Sequence, residues 1–327
     1  MQSRRSVLAA GGALALSAMS PWPGHAQPAP GFPNKPIRLV VPFPPGGPAD
    51  ALARILSQGM GEQLGQSVVV DNKPGGNTII GADIVARSAP DGYTLLLAID
   101  ATLTQNPFLY SKLPYDPVKD FTPVGIVADV ANVLAVHPSL PVSSVQDLLQ
   151  HARQKPGQLQ FGYGAVAMQI AGELFNQLGG VKLTGVAYKG GSTTVMGLMG
   201  GDVPVIFDGA TGVLANAPTG KVKPIAVLGR RRLSAAPDLP TVAEAGLPGY
   251  DVTIWQSLVA PAGTPRPVVD RLNAAMRAAM SGAGVQERLE KLGIQPNPTS
   301  PEEMMKVVAA DTQKWGPMIR KLGLKID

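Results

Sequence analysis

Twice along this chain, short runs of β-branched and aliphatic residues end in a Gly-rich turn and give way to a stretch with apolar residues at helical spacing. Residues 37–43 run into Pro44-Pro45-Gly46-Gly47-Pro48, and Leu52, Ile55, Leu56 and Met60 follow at helical spacing. Residues 68–70 form a short strand stopped by Asn72-Lys73-Pro74-Gly75-Gly76. Asn77 or Thr78 caps a helix carrying Ile80, Ile84 and Val85, and Asp91-Gly92 turns the chain into a strand over 93–99. This βαβαβ order predicts an α/β fold with a parallel, doubly wound sheet.

The alternation then returns. Ser143 and Gln146 read as a capping box for a helix through Leu148, Leu149 and Ala152. Strands are expected at 159–161, 184–188, 203–207 and 225–228, with a helix over 169–178 and another at 195–199 capped by Ser192. Thr241 and Glu244 make a further capping box, residues 267–280 are amphipathic, and Ser300-Pro301-Glu302-Glu303 opens a last long helix carrying Met304, Val307, Val308 and Trp315. Two sheet-based halves imply two lobes with a cleft between them, and ligands of open α/β sheets bind at the carboxyl ends of strands.

With 45% hydrophobic and only 16% charged residues, the chain can bury a sizeable core; 38 Gly and 32 Pro supply the many turns. Cysteine is absent, which excludes disulfides, thiolate metal sites and Cys nucleophiles. Arg4 and Arg5 precede an apolar run over 7–19 that is too short to span a bilayer, and Gly24-His25-Ala26 puts small residues at the −3 and −1 positions of a cleavage site. Residues 1–26 are therefore read as a cleavable export signal, either ordinary secretory or twin-arginine, with a mature start near Gln27. Loss of the two arginines takes the formal charge from +5 to +3, too weak a balance for a nucleic-acid role in a chain without a basic stripe.

Four turns carry candidate chemistry. In Phe43-Pro44-Pro45-Gly46-Gly47-Pro48-Ala49-Asp50, the glycines allow close backbone approach at a helix N-terminus, which suits an anion; the other reading is a plain connector. Asp50 caps the turn or meets the ligand. Gly162-Tyr163-Gly164-Ala165-Val166-Ala167 matches a dinucleotide fingerprint, but the next strand ends in Lys189 rather than an acid, so a small-residue anion turn is the better reading. Tyr188-Lys189-Gly190-Gly191-Ser192 lacks P-loop spacing. Phe207-Asp208-Gly209 puts a carboxylate at a strand end, to cap a helix or to meet an amine or hydroxyl. The two mature histidines, His137 and His151, show no metal spacing, and no nucleophile, base or metal set assembles, so no catalytic residue, metal or cofactor is expected.

Several segments resemble the Bug (tripartite tricarboxylate transporter) extracytoplasmic receptors. They are Pro42-Phe43-Pro44-Pro45-Gly46-Gly47-Pro48-Ala49-Asp50, Asn72-Lys73-Pro74-Gly75-Gly76, Ala89-Pro90-Asp91-Gly92-Tyr93-Thr94 and Leu113-Pro114-Tyr115-Asp116-Pro117. Ala171-Gly172-Glu173-Leu174-Phe175, Tyr188-Lys189-Gly190, Pro240-Thr241-Val242-Ala243-Glu244-Ala245-Gly246 and Ala260-Pro261-Ala262-Gly263-Thr264-Pro265 complete the series, in order along nearly the whole mature chain.

The resemblance implies a two-lobe type II periplasmic binding protein fold, each lobe a doubly wound sheet, with the ligand in the interlobe cleft. The implied lobes are 27–128 plus 251–327, and 129–250, with crossings near 129–136 and 251–258. It further implies a monomeric, non-enzymatic receptor that binds a small carboxylate through backbone amides of the first loop and a facing second-lobe loop. The receptor then delivers its cargo to a membrane permease with a large and a small subunit. A sensory receptor signalling to a membrane kinase, and an exported α/β enzyme, are the alternatives. The implied contacts are the backbone of Phe43, Pro44, Pro45, Gly46 and Gly47 and of Gly164, Ala165, Val166, Ala167, Met168 and Gln169, with Asp50. Thr102, Met168, Gln169, Lys189 and Asp208 then set which tail fits. The chain departs from the family in two places. Gln169 stands where His is usual and a hydroxyl is missing, making that side more apolar; and Asp100 would repel a second carboxylate, attract an ammonium, or face solvent.

Overall fold

The computed structural model describes residues 31–282 and 284–326. The segment 1–26 read as an export signal, and its expected junction at Gln27, lie outside them. In chain order the elements are β1 (Ile37–Val41), α1 (Pro48–Leu64), β2 (Val68–Asn72), α2 (Ile79–Ala86), β3 (Thr94–Ile99), α3 (Asp100–Thr104), α4 (Asn106–Leu109), β4 (Phe121–Val130) and β5 (Asn132–Val136). Then follow α5 (Val145–Gln154), β6 (Gln160–Tyr163), α6 (Val166–Gly179), β7 (Thr184–Ala187), α7 (Gly191–Gly200), β8 (Val205–Gly209), α8 (Ala210–Asn216) and β9 (Lys223–Val227). The chain closes with β10 (Ile254–Pro261), α9 (Arg266–Met280), α10 (Val285–Glu290), β11 (Ile294–Pro296) and α11 (Pro301–Leu322).

The strands form two sheets, one of six in the order β11-β4-β10-β3-β1-β2 and one of five in the order β7-β6-β8-β5-β9. Strands β1, β2 and β3 run parallel, as do β6, β7 and β8. The expected all-parallel sheets are instead mixed, for a topological reason. The chain leaves the first sheet at Ala131, between β4 and β5, and returns between β9 and β10. Each entering strand, β5 or β10, comes from the side where its neighbours end, so it runs antiparallel to them.

Helices cover both faces of each sheet, as the doubly wound pattern requires. On one face of the first sheet, Leu52, Leu56 and Met60 of α1 join Leu272 and Met276 of α9 over Leu39, Leu95 and Leu97. On the other, Ala82, Leu103 and Met304 pack with Leu96, Ala98 and Trp255. In the second sheet, Leu148, Leu149, Ile170 and Phe175 cover Leu134, Phe161 and Phe207, while Val195, Leu198 and Val213 cover Val133 and Ile206. Helix α11 belongs to both interiors: Met304 packs with the first sheet, whereas Trp315, Met318 and Ile319 are buried in the cluster that holds Leu134, Phe161 and Phe175.

Local signals explain several boundaries. α1 starts with Pro48 at its first position and stops at Gly65 in the left-handed conformation (φ 69°). The Ser300–Glu303 capping box forms with both reciprocal bonds. Others shift. The α5 cap is Ser144, whose hydroxyl accepts from the Asp147 amide while Asp147 accepts from the Ser143 amide; Gln146 reaches across to the carbonyls of Ala245 and Gly246 instead. Thr241 and Glu244 exchange capping-box bonds, but on a turn rather than a helix. Thr78 occupies the N-cap position of α2 but makes no side-chain capping bond, and Gly190, not Ser192, precedes α7.

Candidate functional site

The sheet topology places the strand carboxyl ends of both lobes at the crossing. In the first sheet, Ile254 at the start of β10 pairs with Val130 at the end of β4, and Gln256 pairs with Ile99 at the end of β3. In the second, Asn132 at the start of β5 pairs with Gly209 at the end of β8. The loops after β1 and β3 therefore open toward the same gap as those after β6, β7 and β8. Strand β1 is separated from the crossing strand β10 by β3 alone, and β6 from the crossing strand β5 by β8 alone. The first loop and the 163–167 loop thus each follow a strand separated from the crossing strand of its sheet by one neighbour.

The first loop is held by Asp50. This residue is buried, and its carboxylate accepts from the Gly46 amide (3.0 Å), from Asn72 Nδ2 (3.0 Å) and from Arg54 Nε (2.9 Å) and a terminal guanidinium nitrogen (3.1 Å). Asn72 also donates to the Phe43 carbonyl (3.0 Å), tying the loop to the end of β2. The Arg54 hydrogen bonds, with those from Gly46 and Asn72, outweigh desolvation and hold the Asp50 carboxyl down at about 2. Gly46 is at φ +88°, so its amide reaches Asp50 from a backbone that only glycine adopts readily. Asp50 therefore caps the turn. The Asp50–Arg54 spacing of four residues in a helix is an ion-pair signal legible in the sequence, whereas Asn72 comes from the end of β2 and leaves no local signal.

This geometry narrows the amide set. Pro44 and Pro45 have no N–H, and the Gly46 amide belongs to Asp50. The Phe43 and Gly47 amides have no acceptor among the described residues. In the second lobe the amides of Met168 and Gln169 bond to the Ala165 carbonyl, as helix propagation dictates, while those of Val166 and Ala167 are the free first-turn donors of α6. Neither α1 nor α6 has a side-chain N-cap, so both helix N-termini present uncapped amides toward the gap.

The remaining residues divide. Gly164 packs against the backbone of Gly190 and Gly191, and Gly191 lies beside the Asp208 carboxylate, so the three second-lobe turns converge. Asp208 is buried under the first turn of α7; burial pushes its carboxyl up, Oδ1 accepts from the Gly209 amide (2.6 Å), and Oδ2 is buried with no hydrogen-bond partner among the described residues. Lys189 is exposed at the end of β7, the outer strand. Met168 is buried in the second-lobe core and Gln169 is half-buried. Thr102 is fully buried, its hydroxyl 2.7 Å from that of Thr78. Asp100 does not face solvent: it is 2% exposed, and burial, with Asp311 nearby, pushes its carboxyl up to about 7.

A concavity of about 790 Å³ runs along α1 and β2 past Arg54, Glu62 and Val68–Val70. It extends to the amino end of β2, away from the converging loops, so we place the candidate site at the strand carboxyl ends instead. Close approach of the second-lobe turns gives a test. A methyl group at Gly164 would lie 2.6 Å from the Gly191 nitrogen, with backbone on both sides that cannot rotate away. Gly164→Ala should lower stability by about 1–2 kcal/mol in denaturant titration and displace the 163–167 loop.

Two α/β lobes joined by crossing strands, with uncapped helix N-termini on either side of the gap, define the class of two-lobe periplasmic binding proteins. The chain belongs to the TctC family of tripartite tricarboxylate transporter receptors, whose model matches residues 52–324. It is 40% identical over 320 residues (97% of this chain, 94% of the relative) to a protein from the tcbD-tcbE intergenic region of Pseudomonas sp. strain P51. Among solved structures it resembles the R. palustris protein Rpa4515 with adipate, at 36% identity and TM-score 0.74 over 90% of this chain and all of that one. It also resembles MatC from Rhodopseudomonas palustris with bound malate, at 32% identity and TM-score 0.69 over 88% of this chain and all of that one. The family and fold class expected from the motifs are thereby established.

Proposed function

We propose that this receptor captures a small organic carboxylate between its lobes and delivers it to a tripartite tricarboxylate transporter permease with a large and a small subunit. The carrying observation is the pairing of two uncapped helix N-termini, α1 and α6, each one strand removed from the crossing strand of its own sheet. Oriented amides and helix dipoles favour a negative guest. The adipate and malate in two related structures are small acids of this class. The headgroup docks on the amides of Phe43 and Gly47 and of 164–167; Lys189 at the rim adds positive charge, and closure about the crossing buries the acid. A closed, loaded shape distinct from the free one is what a permease can select. In this reading 1–26 is removed on export, and the lobes divide at the two crossings.

Calorimetric titration with adipate, malate, monocarboxylates and the matching neutral amides tests this. Binding of at least one acid, lost in its amide, is expected; binding of a neutral solute alone would overturn it. Gly47→Ala sharpens the test. Gly47 is at φ −85°, and an added methyl group meets only the Pro44 carbonyl, at 4.0 Å. The variant should keep its melting temperature yet bind the acid at least about tenfold more weakly, which corresponds to ~1.4 kcal/mol, because the methyl group occupies the ligand's approach.

A further inference from the structure

Strand order gives each sheet an edge on the far side of the crossing from the candidate site. In the first sheet β11 lies beyond β4, away from β3 and β1; in the second β9 lies beyond β5, away from β8 and β6. The turn from α10 into β11 meets the segment 231–235, which follows β9, so the two lobes also touch on that side. Ser234 Oγ donates to Glu290 Oε1 (2.6 Å), and Gln295 Nε2 donates to the Arg232 carbonyl (3.3 Å). The bonds from Ser234 and Gln286 hold the Glu290 carboxyl below its usual range, so the acceptor is an anion at neutral pH. Arg231 reaches Asp129 at the end of β4 (2.6 Å), and Asn297 Nδ2 donates to the same carboxylate (3.1 Å to each oxygen). Beneath these polar contacts the packing is incomplete. A cavity of about 200 Å³ separates Leu214 and Leu233 of one lobe from Ile294 of the other.

We propose that the Ser234–Glu290 and Gln295–Arg232 bonds form a latch behind the hinge that favours the open cleft, so that residues remote from the ligand set its apparent affinity. The crossing strands are the pivot. A rotation that brings the first loop toward the 163–167 loop lifts the α10–β11 turn away from 231–235 on the opposite side, and both bonds break. Asp129 lies two residues before Ala131, close to the pivot, so its pair with Arg231 moves little and anchors the segment through the rotation. Exposed polar contacts are individually weak, and the latch therefore biases the equilibrium without locking it. The unfilled cavity leaves few apolar contacts to oppose its release. Apparent dissociation constants scale inversely with the fraction of the chain already closed, so loosening the latch tightens binding. This rests on the two-lobe reading of the receptor, but not on which amides hold the ligand.

The test breaks the latch in one chain and fastens it in another. Ser234→Ala/Gln295→Ala removes both donors at the surface and should melt as the parent does. Calorimetric titration with adipate and malate should show it binding whichever acid the parent binds about threefold more tightly. The natural chain has no cysteine, so Ser234→Cys/Glu290→Cys can be bridged selectively by a short bis-thiosulfonate linker. The bridged protein should bind at least about tenfold more weakly than the same protein after reduction. A readout without ligand comes from spin labels on Val118→Cys/Met196→Cys, two exposed positions on different lobes. Ser234→Ala/Gln295→Ala in that background should shift the label–label distances measured by pulsed electron resonance. Parental affinity in the unlatched chain, equal affinity before and after reduction of the bridge, or an unchanged distance distribution would each overturn the proposal. If the parent binds neither acid, the distance distributions alone decide on the latch, and the missing affinity counts against the carboxylate reading only.

Discussion

Asp50→Ala should lose about 2–3 kcal/mol of stability, the scale for removing hydrogen bonds to a charged group. It should also fall at least tenfold in affinity for whichever acid the parent binds. The carboxylate is 4% exposed and gathers donors from three places: Gly46 in the loop, Asn72 at the end of β2, and Arg54 one turn along α1. Its removal releases Gly46 and leaves Asn72 with the Phe43 carbonyl alone. The stability change is read from the midpoint of a urea titration at constant slope. Asp50→Asn, which keeps an acceptor for Gly46, should recover part of both effects. An alanine variant with parental affinity would show that the loop conformation does not set the site. Because the Asp50 carboxyl is held at about 2, its contribution is fully present above the unfolded value near 4 and is lost only as pH falls toward 2.

Asp100 works with the opposite sign. Its folded value of about 7 lies above the unfolded one near 4, so the folded state holds a proton that the unfolded state has released. Stability is full below pH 4 on this account and is lost as pH rises through 7. Between pH 5 and pH 8 the parent should lose roughly 3 kcal/mol more than Asp100→Asn, from about 1.4 kcal/mol per pH unit of displacement. Asp129 and Asp208, which burial also pushes up, add slope of the same sign in both chains and cancel in the difference. Denaturant titrations of both proteins at several pH values check this; parallel curves would place Asp100 in a far more solvated setting than the packing shows.

Much of the architecture is legible in the residues because it is locally encoded. Pro48 and Gly65 bound α1, Ser300 and Glu303 open α11, and the aliphatic runs of β1, β3 and β8 are strands buried by helices on both faces. What escapes is what depends on distant chain. Ser143 and Ser144 are both acceptable caps, and the choice falls to Ser144, whose hydroxyl accepts from the Asp147 amide while the Asp147 carboxylate accepts from the Ser143 amide. Asn77 and Thr78 look like caps, but both adopt positive φ, with Thr78 bonded to Thr102 twenty-four residues on. The antiparallel course of β5 and β10 follows from crossing between lobes, which no local pattern records. The same holds at the site. The Gly-rich turns are visible as turns, yet which amides remain free depends on Asp50 and on where α6 begins. Asp100 reads as a surface or ligand carboxylate until α11 arrives from two hundred residues downstream and covers it.

Helix α11 roots Met304 in one lobe and Trp315, Met318 and Ile319 in the other. The two halves are therefore tied by three straps, two of backbone and one of packed side chains. A wide gape would pull an indole and its aliphatic neighbours into water, a cost that grows with every square ångström bared. Packing of this one helix against both sheets thus favours small relative rotations over wide ones.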